Sequence, residues 1–122
     1  MEPPERSYQV WWDDETRVAH VDWSPGSTCG LNEARAITEQ VRAFDRGEVP
    51  VLVDMRGMVK FERAAREHFI ADDGGTRAVA LLVASAVDKM IANFFIGMKR
   101  VPVPVQLFTD QLEALDWLGK QR

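Results

Sequence analysis

The sequence predicts an α/β domain with a mixed sheet of about five strands carrying about four helices. Three observations predict it. The N-terminal part alternates like a β-hairpin, the rest alternates strand-like apolar runs with helical stripes, and 122 residues leave room for one core. A chain of this length buries roughly two thirds of its unfolded surface, so residues 1–122 read as one domain. The first seven residues, rich in Pro and Glu, are expected to lie outside the ordered part.

Tyr8-Gln9-Val10-Trp11-Trp12-Asp13 is aromatic-rich and suits a strand. Asp13-Asp14-Glu15 reads as a turn, and Thr16 to Trp23 alternates. Ala19, Val21 and Trp23 fall on one face of that second strand, with Val18, His20 and Asp22 on the other. Ser24-Pro25-Gly26-Ser27 ends the hairpin.

A first helix is expected from about Glu33 to Arg46, with Asn32 as N-cap and Gly47 beyond its end. Ala34, Ile37, Val41 and Phe44 give it an apolar stripe. Val49 to Met55 is a β-branched run apolar in both alternating sets except at Asp54, the pattern of a strand covered on both faces. Glu62 to Asp73 reads as a second helix with Phe61, Ala65 and Phe69 inward, and Gly74-Gly75 stops it.

Ala78 to Ala84 is the most apolar run and is expected at the centre of the sheet. Ser85-x-x-Asp88 then reads as a capping box. In the third helix Val87, Met90, Ile91, Phe94, Phe95 and Met98 form a stripe expected to face the core. The apolar stretch from Ala78 to Met98 is no membrane span, because Asp88 and Lys89 near its middle would each cost about 2.5–3.5 kcal/mol there. Val101-Pro102-Val103-Pro104 cannot join a central strand, but Val105 to Phe108 can pair at an edge. Thr109 is expected to cap a last helix, Asp110 to about Gly119, with Leu112, Leu115 and Leu118 inward. Strand–helix alternation makes the last three strands parallel. Leu52, Leu81, Val83, Ile91, Phe94 and Leu115 are the expected deep core.

At this point the residues resemble a known family. Val51-Leu52-Val53-Asp54-Met55-Arg56-Gly57 with Ala64-Ala65-Arg66 is similar to the middle of STAS/SEC14-type, SpoIIAA-like domains. Ala80-Leu81-Leu82-Val83, Ile91-Ala92-Asn93-Phe94-Phe95 and Pro104-Val105-Gln106-Leu107-Phe108-Thr109 continue the likeness. So does Glu113-Ala114-Leu115-x-Trp117-Leu118. The resemblance implies a SpoIIAA-like fold and a non-enzymatic interaction or regulatory module; its SEC14 side implies a carrier or sensor of a small apolar or amphipathic ligand. Relatives that regulate sigma factors are switched by phosphorylation after the third strand. From Met55 to Gly75 this chain has no Ser, Thr or Tyr, so that acceptor does not carry over.

The composition narrows the partners. Fifteen basic and nineteen acidic residues leave a charge of −4, which disfavours a nucleic-acid surface. Cys29 stands alone and no secretory leader opens the sequence, which points to a reducing, cytoplasmic setting. No catalytic constellation, metal cluster or cofactor fingerprint is assembled: His20 and His68 are far apart and read as surface or boundary residues, and Cys29 reads as inert. Ligands of open α/β sheets bind at the carboxyl ends of parallel strands. Arg56, Lys60, Ser85 and Thr109 lie there and form a candidate anion site, with capping as the alternative reading of Ser85 and Thr109. Trp11, Asn93, Ile96, Lys99 and Arg100 form a candidate interface for a protein partner or a second copy.

Overall fold

The computed structural model describes residues 7–72, 74–96 and 103–121. The elements in order are β1 (Tyr8–Asp13), β2 (Val18–Trp23), β3 (Thr28–Cys29), α1 (Leu31–Ala43), β4 (Val49–Asp54), β5 (Lys60–Phe61), α2 (Arg63–Ala71), β6 (Thr76–Leu82), α3 (Ala86–Ile96), β7 (Val105–Phe108) and α4 (Gln111–Gly119). The expectation for residues 1–7 falls on 1–6, which lie outside the described residues, and on Ser7 beside the first strand.

The main sheet has the order β1-β2-β4-β6-β7. β1 and β2 are the expected antiparallel hairpin, with Arg17 in a left-handed conformation (φ 60°) in its turn. β2–β4, β4–β6 and β6–β7 are parallel. Pro50 sits inside this sheet, and the register shifts at Val49/Pro50, where a residue without an N–H cannot continue the ladder. β3 and β5 form a separate two-stranded parallel sheet that the sequence did not announce.

From β2 the chain steps to β4, β6 and β7 in one direction. Crossovers of one hand therefore put α1, α2 and α3 on the same face, here called the front. α4, which follows the last strand, covers the back. Alternation along the strands gives each face its own core. The front holds Ala19, Val21, Trp23, Val51, Met55, Leu81 and Val83 with Ala34, Ile37, Val41, Ala65, Ile91 and Ala92 of the helices. The back holds Val18, Leu52, Ala78, Ala80 and Leu82 against Ala114 and Leu118.

Several boundaries and orientations differ from expectation. α1 starts at Leu31 with Gly30 as N-cap in place of Asn32, because the Glu33 side chain turns back to accept the Gly30 N–H (2.8 Å). Asp110, not Thr109, caps α4 by accepting the Leu112 N–H (2.9 Å). Leu112 is therefore in the first turn and 77% exposed, and Leu115 is only partly buried. In α3 three residues of the expected stripe, Val87, Met90 and Phe94, are exposed, while Ile91 is inward as expected and the Phe95 side chain lies outside what is described. The inward residues are Asp88, Ile91 and Ala92, with Ile96 packed against the front core. Met98 lies outside the described residues. Leu52, Leu81, Val83 and Ile91 are buried as expected.

Candidate functional site

The front layer does not fill its space. Val21, Val51, Val53 and Val79 occupy central positions of three neighbouring strands, and Ile37 and Val41 of α1 face them. These short β-branched side chains leave a cavity of about 90 Å³ between the sheet and the α1–α2 layer. Met55, Met58, Phe61, Phe69 and Cys29 complete its apolar wall.

The loops that carry Cys29, Met58 and Phe61 of the wall are tied together by backbone. The Gly26 N–H donates to Gly57 O (2.7 Å), Val59 N–H to Ser27 O (2.9 Å) and Glu62 N–H to Cys29 O (2.9 Å), zipping the two loops together. Gly57, at φ 85°, lies so close to Pro25 that a Cβ there would sit 3.0 Å from the Pro25 Cα. α1 and α2 are joined by Thr38, whose hydroxyl donates to Arg35 O (2.9 Å) and meets His68 Nε2 at 3.0 Å. His68 is thus a bridge between helices. Cys29 is 1% exposed, and burial, with Glu33 and Glu62 nearby, pushes its thiol up to about 12. It is a neutral, apolar part of the wall.

Of the four residues expected to hold an anion, Arg56 and Ser85 lie near one another, through Gly57 and Asp88. The start of α3 is already occupied by Asp88, which is 1% exposed. Its carboxylate accepts N–H groups from Ala84 (2.9 Å), Ser85 (3.1 Å) and Gly57 (3.0 Å), while Ser85 Oγ accepts the Asp88 N–H (3.0 Å). Burial pushes the Asp88 carboxyl up, and these hydrogen bonds outweigh it, leaving its pKa below the usual carboxylate value. Ser85 is a cap, as the capping-box reading had it. Arg56 pairs with Asp54 through two hydrogen bonds (2.9 and 2.7 Å), Lys60 is exposed in β5, and Thr109 is exposed before α4.

The expected interface residues that are described lie on both faces of the sheet. Trp11 lies on the back, stacked on His20 with ring centroids 4.0 Å apart, and its indole N–H donates to Asp22 (2.8 Å). His20 is consequently buried at 3% exposure, not a surface residue. Burial lowers its pKa despite Asp22 and Asp13, whose Oδ2 is 3.7 Å from Nε2. Asn93 is exposed on α3, and Ile96 packs inward. Lys99 and Arg100 lie outside the described residues. Beside Asn93, Phe94 lies under the Arg66 guanidinium, 4.2 Å from its ring centroid. Among the described residues no group of three or more His, Cys, Asp or Glu is placed to hold a metal ion, and no helix is long and apolar enough to cross a membrane.

This sheet order, with three helices in front and one behind, has relatives. The model of a domain family of unknown function, DUF7793, matches residues 10–122. The chain belongs to this family. The crystal structure of an uncharacterised DUF3478-family protein with a SpoIIAA-like fold, from Shewanella loihica PV-4, is similar over 97% of this chain and 98% of its own. The TM-score is 0.61 and the identity 15%. The DUF7793 chain thus has a SpoIIAA-like fold. A protein of unknown function from Arthrobacter sp. FB24 is 26% identical over 96% of each chain, with a TM-score of 0.35. No curated protein matches the sequence.

The cavity wall was not singled out in the sequence, although a signal exists. Val21, Val51, Val53 and Val79 cluster opposite Ile37, Val41 and Thr38, so across this part of the layer medium-sized side chains meet medium-sized ones.

Proposed function

We propose that the protein is a non-enzymatic binding module that holds a small apolar molecule between its sheet and the α1–α2 layer. The observation that carries this is the apolar cavity of about 90 Å³ in the front core. An apolar pocket of this size favours an apolar guest over water, which would find few polar partners there. Its size favours a guest on the scale of a benzene ring or a short alkyl chain, well below the roughly 300–1,000 Å³ of sites for drug-sized ligands. The non-enzymatic part is supported by the neutral, enclosed Cys29 thiol and by His20 lying beneath Trp11.

The test uses benzene as probe. With methionine methyls isotopically labelled, benzene should shift the NMR signals of Met55 and Met58 in the wall and leave Met90, 65% exposed on α3, unmoved. Absence of any shift at Met55 and Met58 at benzene saturation would sink the reading.

A role in protein contacts is the second reading, supported by Val87, Met90 and Phe94, three apolar residues exposed on one helix. The lack of a hydroxyl between Met55 and Gly75 favours contacts that are not switched by phosphorylation there.

A further inference from the structure

We propose that the chain forms a two-fold dimer by antiparallel pairing of β1 with β1 of a second copy, joining two five-stranded sheets into one of ten strands. β1 is the edge of the main sheet, and its side away from β2 has no partner strand among the described residues. The Ser24 N–H donates to Ser7 O (2.8 Å), and the register of β1 with β2 runs unbroken from there to Asp13–Val18. Odd-numbered residues of β1 therefore bond to β2, and Val10 and Trp12 turn their N–H and C=O groups to the open side.

Edges are ordinarily blunted by Pro, Lys, a bulge or shortness. β1 has six residues, no Pro, no Lys and no bulge. A row of outward N–H and C=O groups is matched only by another extended backbone. A second copy supplies one in a register that suits its own side chains. Centred on Val10, the two-fold sets Val10 opposite Val10 and Tyr8 opposite Trp12 on the front, with Gln9 opposite Trp11 on the back. Asp13, the one ionisable group with a formal charge in β1, then meets Ser7 of the other copy, so no like charges oppose. An open groove beside the edge, lined by Val10, Gln40, Ala43 and Phe44 among others, gives the second copy's front side chains room to enter.

The experiment is sedimentation equilibrium and native mass spectrometry of the full chain and two variants, Val10→Pro and Val10→Lys. Proline at position 10 deletes an outward donor without removing a bond to β2, so the hairpin is retained. Lysine places like charges face to face at the two-fold. The wild type is expected at twice the chain mass of 13.8 kDa over the micromolar range, with both variants at the single mass and with unchanged circular dichroism. Should Val10→Pro fail to fold, Val10→Lys alone decides. A monomeric wild type overturns the proposal and leaves the edge to a strand from another protein. A dimer that survives the variants overturns it as well.

Discussion

One sheet faces two different interiors. On the back, Ala78 and Ala80 of β6 lie beneath α4, and Ala114 and Leu118 meet Leu52 and Leu82, with Phe108, Leu115 and Trp117 packed at the margin. On the front, the helices stand over valines and enclose a cavity. Both faces are apolar and belong to the same strands, so hydrophobicity does not separate them. Volume does. Small residues beneath α4 go with a filled layer, whereas medium residues beneath α1, with Phe61, Phe69 and two methionines around them, leave space. What the comparison teaches is that open space in this fold is a property of one face, while the other is filled.

The sharpest way to break that contrast is to enlarge neighbouring residues of β6. Ala80→Val on the back has nowhere to put its added methyls and is expected to cost about 1–3 kcal/mol in chemical denaturation. Val79→Ile, one residue away, points at the cavity and is expected to be neutral or to stabilise by up to about 1 kcal/mol while weakening benzene uptake. Equal penalties at both positions would mean that the front is as tightly filled as the back.

A smaller effect, at the rim of the front layer, is set by Asp88. Asp88→Asn keeps the shape but weakens the three N–H contacts and is expected to cost about 1–2 kcal/mol at neutral pH. Because the folded-state pKa of Asp88 is lowered, its contribution is fully present above the unfolded value of about 3.9 and is lost as pH falls through the folded value. Stability of the wild type should therefore drop below about pH 4 by more than that of Asp88→Asn. Parallel acid limbs for the two proteins, measured by urea denaturation across that range, would remove Asp88 as the anchor of α3.

Much of the architecture was legible because strand alternation is a strict period of two. Ala19, Val21 and Trp23 were read onto one face and lie on the front, and the Ser85–Asp88 capping box is present. The phase of α3 was not legible. Val87, Met90, Ile91, Ala92, Phe94 and Ile96 are apolar around most of the helix, so the period admits more than one inward face. The phase is chosen by Asp88, which must turn inward to reach backbone N–H groups on two separate segments, and that requirement is tertiary. His20 was misplaced for a related reason: what buries it is Trp11, a cross-strand neighbour whose ring folds over it. At the expected anion site the helix start already holds the protein's own Asp88 carboxylate, and its bond to Gly57 is a tertiary contact that the local pattern does not report. The cavity is a sum of side-chain volumes over several elements, which no local pattern reports.

The smallest expected effect tests the phase of α3 directly. Were Phe94 part of the front core, Phe94→Ala would cost about 3–5 kcal/mol. At 47% exposure the ring keeps much of its contact with water in the folded state, so little burial is there to lose. What it has is Arg66, and a cation over an exposed ring contributes about 0.5–1 kcal/mol. The expected loss is therefore below about 1 kcal/mol, and Phe94→Ala made together with Arg66→Ala should cost less than the two single changes added. A loss of about 3 kcal/mol or more would mean that α3 turns its aromatic stripe onto the sheet in solution. The front would then be closed by that ring, and the contrast between a hollow face and a filled one would disappear.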